Sequence, residues 1–254
     1  MVDFHQEKIA KDTLERYSGC EVKDFCSHLI LTNFPKYVDY FCESRGVESH
    51  EGLMFRVAHS KEEDVSIIDF RIGSPAAALV VDLCSFLPVK ASIFLGMCGG
   101  LRDDYKVGDY FLPVACIRSD GTSNSYFPKE VPAMSNFFIQ KEASNVLQES
   151  GIPFHLGIAF TTNVRFWEFN EPFKKRLEEN RAQVIEMECA TLFIVGYKRR
   201  FPIGALLLVS DLPLNPSGIK TKASSKEVFE RCTKDHVEKG VRIIKTFTDK
   251  LAID

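Results

Sequence analysis

Two stretches of this chain, ASIFLGMCGG (91–100) and IGALLLVSD (203–211), are apolar almost without interruption. A strand with one wet face alternates apolar and polar residues, whereas a strand apolar on both faces must be covered on both. The two runs therefore predict central strands of a sheet with helices packed on either side. The remaining chain supplies those layers. Helical spacing runs over 4–17, 37–44, 136–150, 171–180 and 188–199. A helix from Ser74 to about 87 opens with Ser as N-cap and Pro75 at its first position, and a last helix ends near 250 after the capping-box pattern Ser224–Glu227. Strand character marks HLILT (28–32), a hairpin near 53–59 and 64–70, and segments near 109–117 and 154–162. Strands and helices alternate, which gives the α/β class: helices on a mixed sheet.

At 254 residues, with 45% apolar and 26% charged, the chain suits one large domain, and no repeat or long linker divides it. A net charge of −3, with Lys and Arg dispersed, argues against a nucleic-acid partner. MVDFHQEKIAKD lacks the apolar core of a signal peptide, and no run approaches the ~20 apolar residues that cross a bilayer. Eight cysteines form no C-x-x-C pair and mostly sit in apolar runs, so they read as reduced core thiols of a cytoplasmic protein, without a structural metal.

Ligands of open α/β sheets collect at the carboxyl ends of strands. Three such ends carry candidate chemistry: GMCGG (96–100), VIEME (184–188) and VSD (209–211). Asp211 is either a turn-forming Asp before Leu-Pro or a general acid whose pKa burial has raised. Glu188, placed in the first turn of the helix to 199, either complements the helix dipole or accepts two hydroxyls of a sugar diol, and Glu186 supports that end through the backbone. Gly96, Gly99 and Gly100 allow a ligand close to the backbone or simply make a tight turn. Cys98, with no neighbouring His, reads as a packing thiol. TTNVRFWEF (161–169) offers Asn163, Arg165, Phe166 and Trp167 as a base-stacking wall or as an aromatic patch under a loop.

The order GMCGG, TTNxRxWE, IEMECAT and LLLVSD resembles the nucleoside phosphorylase/nucleosidase superfamily. GMCGGLRxxxxVGDYxLPxAxIRxDGTS and GALLLVSDxP look most like its AMP nucleosidase branch, in a short form without a separate regulatory domain. The likeness covers nearly all of 25–245. It implies a single-domain, three-layer sandwich around a twisted mixed sheet, no cofactor, and homo-oligomers built from dimers, often hexamers. The implied chemistry is cleavage of a purine N-glycosidic bond. Matched residue by residue, Glu188 binds the ribose 2′- and 3′-hydroxyls and Met187 packs beneath the sugar. Asp211, with Ser210 before it, protonates or hydrogen-bonds purine N7. Cys98 and Gly99 run along the base, and Phe166 or Trp167, with Arg165, forms the stacking wall.

Phosphorylases of the superfamily bind free phosphate through a G-D-P-x-R loop and an R-V-G-S-C-G strand. Here those stretches read TNFPKY and FLGMCG, placing Asn33, Tyr37, Phe94 and Met97 where anion ligands stand. A phosphate dianion needs charge-assisted donors, so water is the expected acceptor, positioned by Asn33 or Thr32. The expected reaction is AMP plus water to adenine plus ribose 5-phosphate. Arg118, Thr122 and Ser123, in the polar loop RSDGTSNS, are the expected donors to the 5′-phosphate. The alternatives are a phosphorylase or nucleosidase acting on a substrate without that phosphate, or a nucleotide-binding protein without catalysis. In DFRIG, Arg71 stands where the superfamily usually has glycine.

Overall fold

The computed structural model describes residues 4–215 and 217–251. The first half comprises α1 (Phe4–Ser18), β1 (His28–Thr32), α2 (Pro35–Arg45), β2 (Ser49–Glu51), β3 (Arg56–Ser60), β4 (Val65–Asp69), α3 (Ser74–Cys84) and β5 (Ala91–Gly100). The second comprises β6 (Tyr110–Ser119), β7 (Ala133–Met134), α4 (Phe137–Glu149), β8 (Phe154–Thr162), α5 (Glu171–Glu179), β9 (Val184–Glu186), α6 (Cys189–Arg199), β10 (Ile203–Asp211) and α7 (Lys222–Lys245). One mixed sheet runs β10-β6-β8-β9-β5-β1-β4-β3-β2. β5 and β10, the two continuous apolar runs, pair in parallel at its centre and are buried along almost their whole length. Helices α1, α3 and α6 cover one face and α2, α4 and α7 the other, each over its own apolar cluster. The result is a three-layer α/β sandwich. No helix among the described residues is long and apolar enough to cross a membrane.

The sheet also closes on itself. β5 pairs β10 along one edge, and beyond β1 its last residues pair antiparallel with β9. The strands β5, β10, β6, β8 and β9 therefore form a ring. Gly99 stands opposite Asp211 in one pairing and opposite Ile185 in the other. This register brings the ends of three distant segments to one place. A Cβ at 99 would sit 2.8 Å from Pro213 Cγ and 3.2 Å from Ile185 Cγ2, so only glycine permits the approach.

Several local expectations shift. Gly73, not Ser74, caps α3, because its φ of 97° is a conformation glycine adopts freely; Ser74 is already helical, and the helix stops at Cys84 rather than 87. The capping box of α7 is Thr221 with Ser224, three residues ahead of the predicted one, and the helix ends at Lys245 rather than near 250. The short strands β2, β7 and β9 have too few residues to show a period in the sequence.

Candidate active site

Where the last residues of β5, β8, β9 and β10 converge lies a cleft of about 290 Å³. Its wall includes Met97, Cys98 and Gly99 from β5, Met187 and Glu188 from the β9–α6 junction, and Ser210 and Asp211 from β10. All three predicted strand ends thus meet in one cavity.

Glu186 and Glu188 answer to different demands. Glu186 spends both oxygens on the protein: one accepts from the Thr161 hydroxyl, the other from the backbone N–H groups of Glu188 and Cys189 at 2.7 and 2.6 Å. It thereby satisfies the first donors of α6 and fixes the turn that presents Glu188. Glu188 is the N-cap residue rather than a first-turn residue, and its side chain makes no cap bond. Instead its Oε1 reaches across to the N–H of Gly73 at 2.7 Å, while the Ser74 hydroxyl donates to the Met187 carbonyl at 2.8 Å. These contacts tie the β9–α6 junction to the start of α3. Glu188 is 2% exposed; burial, and then the charge of Glu186, push its pKa up to about 8, against the hydrogen bonds from Gly73 and Asn33. The Asn33 amide faces it, and Asn33 Oδ1 is buried without a hydrogen-bond partner.

A carboxyl group held protonated in the folded state and free in the unfolded chain gives a definite sign. Between the ordinary Glu value and about 8 the native protein binds a proton that the unfolded chain releases, so this contribution lowers stability as pH rises through that window. Glu188→Gln is expected to remove it. The variant should gain about 3 °C or more in Tm over the parent at pH 8, with little difference at pH 5, because ~1 kcal/mol moves Tm by roughly 2–4 °C at this size. Parallel Tm–pH curves for the two proteins would show that Glu188 carries no such burden.

Asp211 ends β10. Burial raises its pKa, opposed by the Ser210 hydroxyl, which donates to Oδ1 at 2.7 Å, and by the charges of Lys220 and Arg165. The Ser210 Oγ also lies 3.3 Å from the Cys98 carbonyl. Asp211 thus keeps its proton to higher pH than an exposed aspartate while facing the cleft, which is what a general acid requires. Cys98 lines the wall with its thiol turned to the Leu208 carbonyl at 3.7 Å; burial pushes it well above the usual thiol range.

Other expected residues separate. Trp167 is buried in the wall and stacks on Phe173, with ring centroids 5.7 Å apart. Phe166 is 77% exposed and Asn163 is also exposed, and neither lines the cleft; the tight turn at Trp167–Phe169 turns one aromatic in and its neighbour out. Arg118, Thr122 and Ser123 do not line it either. The Arg118 guanidinium donates to the carbonyls of Ser123, Phe127, Pro128 and Val131 and to the Ser123 hydroxyl. Ser123 in turn is held by Asp120. Arg118 is the pin of its own loop, with its donors spent on backbone. Of the four residues at anion positions, Asn33 and Met97 face the cleft. Phe94 is buried against Phe70, and Tyr37 is buried with its hydroxyl on His236 Nδ1 at 2.8 Å. Arg71 has φ of 70°, the left-handed region, which explains a glycine preference there. Its guanidinium binds Asp69 and Glu51 at 2.8 Å each.

Two charged wall residues carried no sequence assignment: Glu168 and Lys220. Among the described residues, Arg165 and Lys220 are the cations lining the cleft. Burial lowers the Lys220 pKa, with Asp211 opposing, and its Nζ lies 3.7 Å from Met97 Sδ. Glu168 was legible within WEF as part of a motif, while Lys220 sits in an aperiodic polar loop that gives no signal. One group with metal-ligand chemistry adjoins the site: Cys116, Glu186 and Cys189 lie with donor atoms within 4.8 Å of one another. Both Glu186 oxygens are already committed to hydrogen bonds, so the cluster serves the turn rather than an ion.

A mixed, ring-closing sheet thus brings paired acids at one strand end and a half-buried aspartate at another into one cleft of an α/β protein. Residues 18–248 match the Phosphorylase superfamily, and the chain belongs to it. It is 26% identical over 276 residues to the AMP nucleosidase of Escherichia coli strain K12, covering 91% of this chain and 57% of that protein. The chain thus spans little more than half the length of that relative. It is 27% identical over 180 residues to a guanosine phosphorylase of Halorubrum lacusprofundi, covering 71% and 73% of the two chains. The crystal structure of AMP nucleosidase from Bacteroides thetaiotaomicron superposes with a TM-score of 0.84 at 35% identity, covering 95% of this chain and 96% of that one. A uridine phosphorylase of Vibrio fischeri shares the fold at 17% identity and a TM-score of 0.81.

Proposed function

We propose that this protein hydrolyses the N-glycosidic bond of a purine nucleotide, converting AMP and water to adenine and ribose 5-phosphate. The observation that carries the reading is the meeting of Glu188 and Asp211 in a single cleft, one suited to a sugar diol and the other to a leaving base. Likeness to two proteins named AMP nucleosidase supports the nucleotide as substrate. In the reaction the ribose gains oxocarbenium character as electrons pass to the purine. Glu188 accepts the ribose hydroxyls, Met187 supports the ring, and Asp211 gives a proton to N7 so that the base leaves neutral. Interactions that strengthen as charge develops are the ones that lower the barrier.

Water as the acceptor rests on Asn33 and Met97 at cleft positions where phosphorylases bind phosphate. One observation favours a second reading, phosphorolysis of a nucleoside: the Lys220 ammonium stands beside Met97, a cation near the place an anion would take. Cleavage of AMP after exhaustive removal of inorganic phosphate decides between them. The expected product is ribose 5-phosphate, at a rate indifferent to added phosphate. A sugar 1-phosphate formed only when phosphate is supplied would establish the second reading. No adenine release from AMP or adenosine under either condition would leave a binding protein.

A further inference from the structure

Among the described residues, two of the cleft wall carry a buried oxygen without a hydrogen-bond partner, Asn33 (Oδ1) and Glu168 (Oε2), and the carboxylate's is the costlier to leave unpaired. Glu168 is 7% exposed; its Oε1 accepts from Arg165 Nη1 at 3.0 Å, and its Oε2 is buried without a hydrogen bond. Folded proteins leave few buried polar atoms unpaired, because a carboxylate oxygen removed from water and given no donor is costly. Oε2 belongs to a residue of the cleft wall, so a donor can arrive with the ligand.

The position of Glu168 narrows which donor that is. Arg165, Trp167 and Glu168 share the wall with Asp211, and the charges of Arg165 and Glu168 both bear on that acid. Glu168 therefore belongs to the base end of the cleft rather than to the ribose end at Glu188. In a purine, N7 and the substituent at C6 are neighbours on one edge. With N7 at Asp211, as the proposed function has it, a carboxylate close by meets the 6-substituent. An amino group there donates a hydrogen to the free oxygen. A 6-oxo group presents lone pairs to a carboxylate and leaves Oε2 unpaired. We infer that Glu168 is the specificity-determining residue of the base site, accepting a hydrogen bond from the 6-amino group and selecting 6-aminopurines over 6-oxopurines. Arg165, bound to the other oxygen, holds the carboxylate in that orientation.

The inference rests on the proposed orientation of the base, and its test separates the two. Free adenine and free hypoxanthine serve as binding probes by calorimetry, alongside kcat/KM for AMP and IMP, in the wild type and in Glu168→Gln. A site built to pair a polar group rejects the analogue that cannot pair by large factors. The wild type should therefore prefer adenine by roughly 100-fold or more. Glu168→Gln, nearly isosteric, keeps an acceptor but adds an amide donor that suits O6. It should shrink the preference by at least about 10-fold, by losing adenine and gaining hypoxanthine, and the AMP/IMP ratio should move with it. Equal binding of the two bases by the wild type overturns the inference without recourse to any variant, as does an unchanged ratio in Glu168→Gln. Adenine selectivity that depends on Glu168 in a protein that cleaves no nucleotide would sustain the inference and defeat the hydrolase reading. Cleavage of AMP with a ratio blind to residue 168 would do the reverse.

Discussion

Asp211→Asn is expected to lower kcat by ~100- to 10,000-fold, the usual contribution of a positioned general acid, while KM for AMP stays within a few-fold. Adenine leaves poorly as an anion, so the proton shared at N7 matters as the bond breaks and little before. Asparagine preserves shape and can donate a hydrogen bond, but it has no proton to transfer. A loss confined to kcat and kcat/KM is what removal of a contact made chiefly in the transition state produces. The partial burial of Asp211 in the cleft wall is the structural basis: it raises the pKa of an acid that must arrive protonated. An AMP analogue with carbon in place of N7 should resist the wild-type protein for the same reason. If that analogue is cleaved as fast as AMP, Asp211 is a turn residue and its contact with Ser210 is merely local.

The second large effect is at Glu188. Its replacement by Gln, compared above pH 8 where the Glu188 carboxyl is ionised, should cut kcat/KM for AMP by roughly 100-fold, since hydrogen bonds to a charged acceptor are worth about 1.5–3 kcal/mol. The empty protein holds this carboxyl against burial and against Glu186, so a diol that donates two hydroxyl hydrogens relieves a strain that solvent cannot reach. Substrates lacking the 2′-hydroxyl should be poor for the wild type and comparatively indifferent to the substitution. Equal losses for AMP and 2′-deoxy-AMP would mean that Glu188 does not grip the sugar. The same variant is expected to be the more heat-stable protein at pH 8, so binding capacity and stability trade against each other at one residue.

Much of the architecture was legible because it is written in runs. The segments 91–100 and 203–211 announce doubly covered strands through unbroken apolarity, a property of neighbours in sequence, and both are strands over those spans. The grouping of Met97, Glu188 and Asp211 was legible for a related reason: each follows an apolar strand signal, and strand ends of such sheets share an opening. That Gly99 pairs toward both Asp211 and Ile185, closing the sheet into a ring, was not. Register between segments some 110 and 85 residues apart leaves no local trace.

Side-chain direction was decided by tertiary structure alone. RSDGTSNS reads as a set of ready anion donors, yet Arg118 spends its guanidinium on four carbonyls, because carbonyls of a loop outside helix and sheet need donors and an arginine supplies five. In FWE, adjacent residues diverge: Phe166 faces out while Trp167 and Glu168 face in. Lys220 joins the cleft from a polar loop with no periodicity, since nothing local records which distant wall a loop will meet. The sequence by itself determined the layers, the central strands and the two acids at their ends, for these follow from patterns of burial along the chain. The fold decided which carboxylate holds the backbone and which is left facing the cleft, because a hydrogen-bond partner is fixed by position in space.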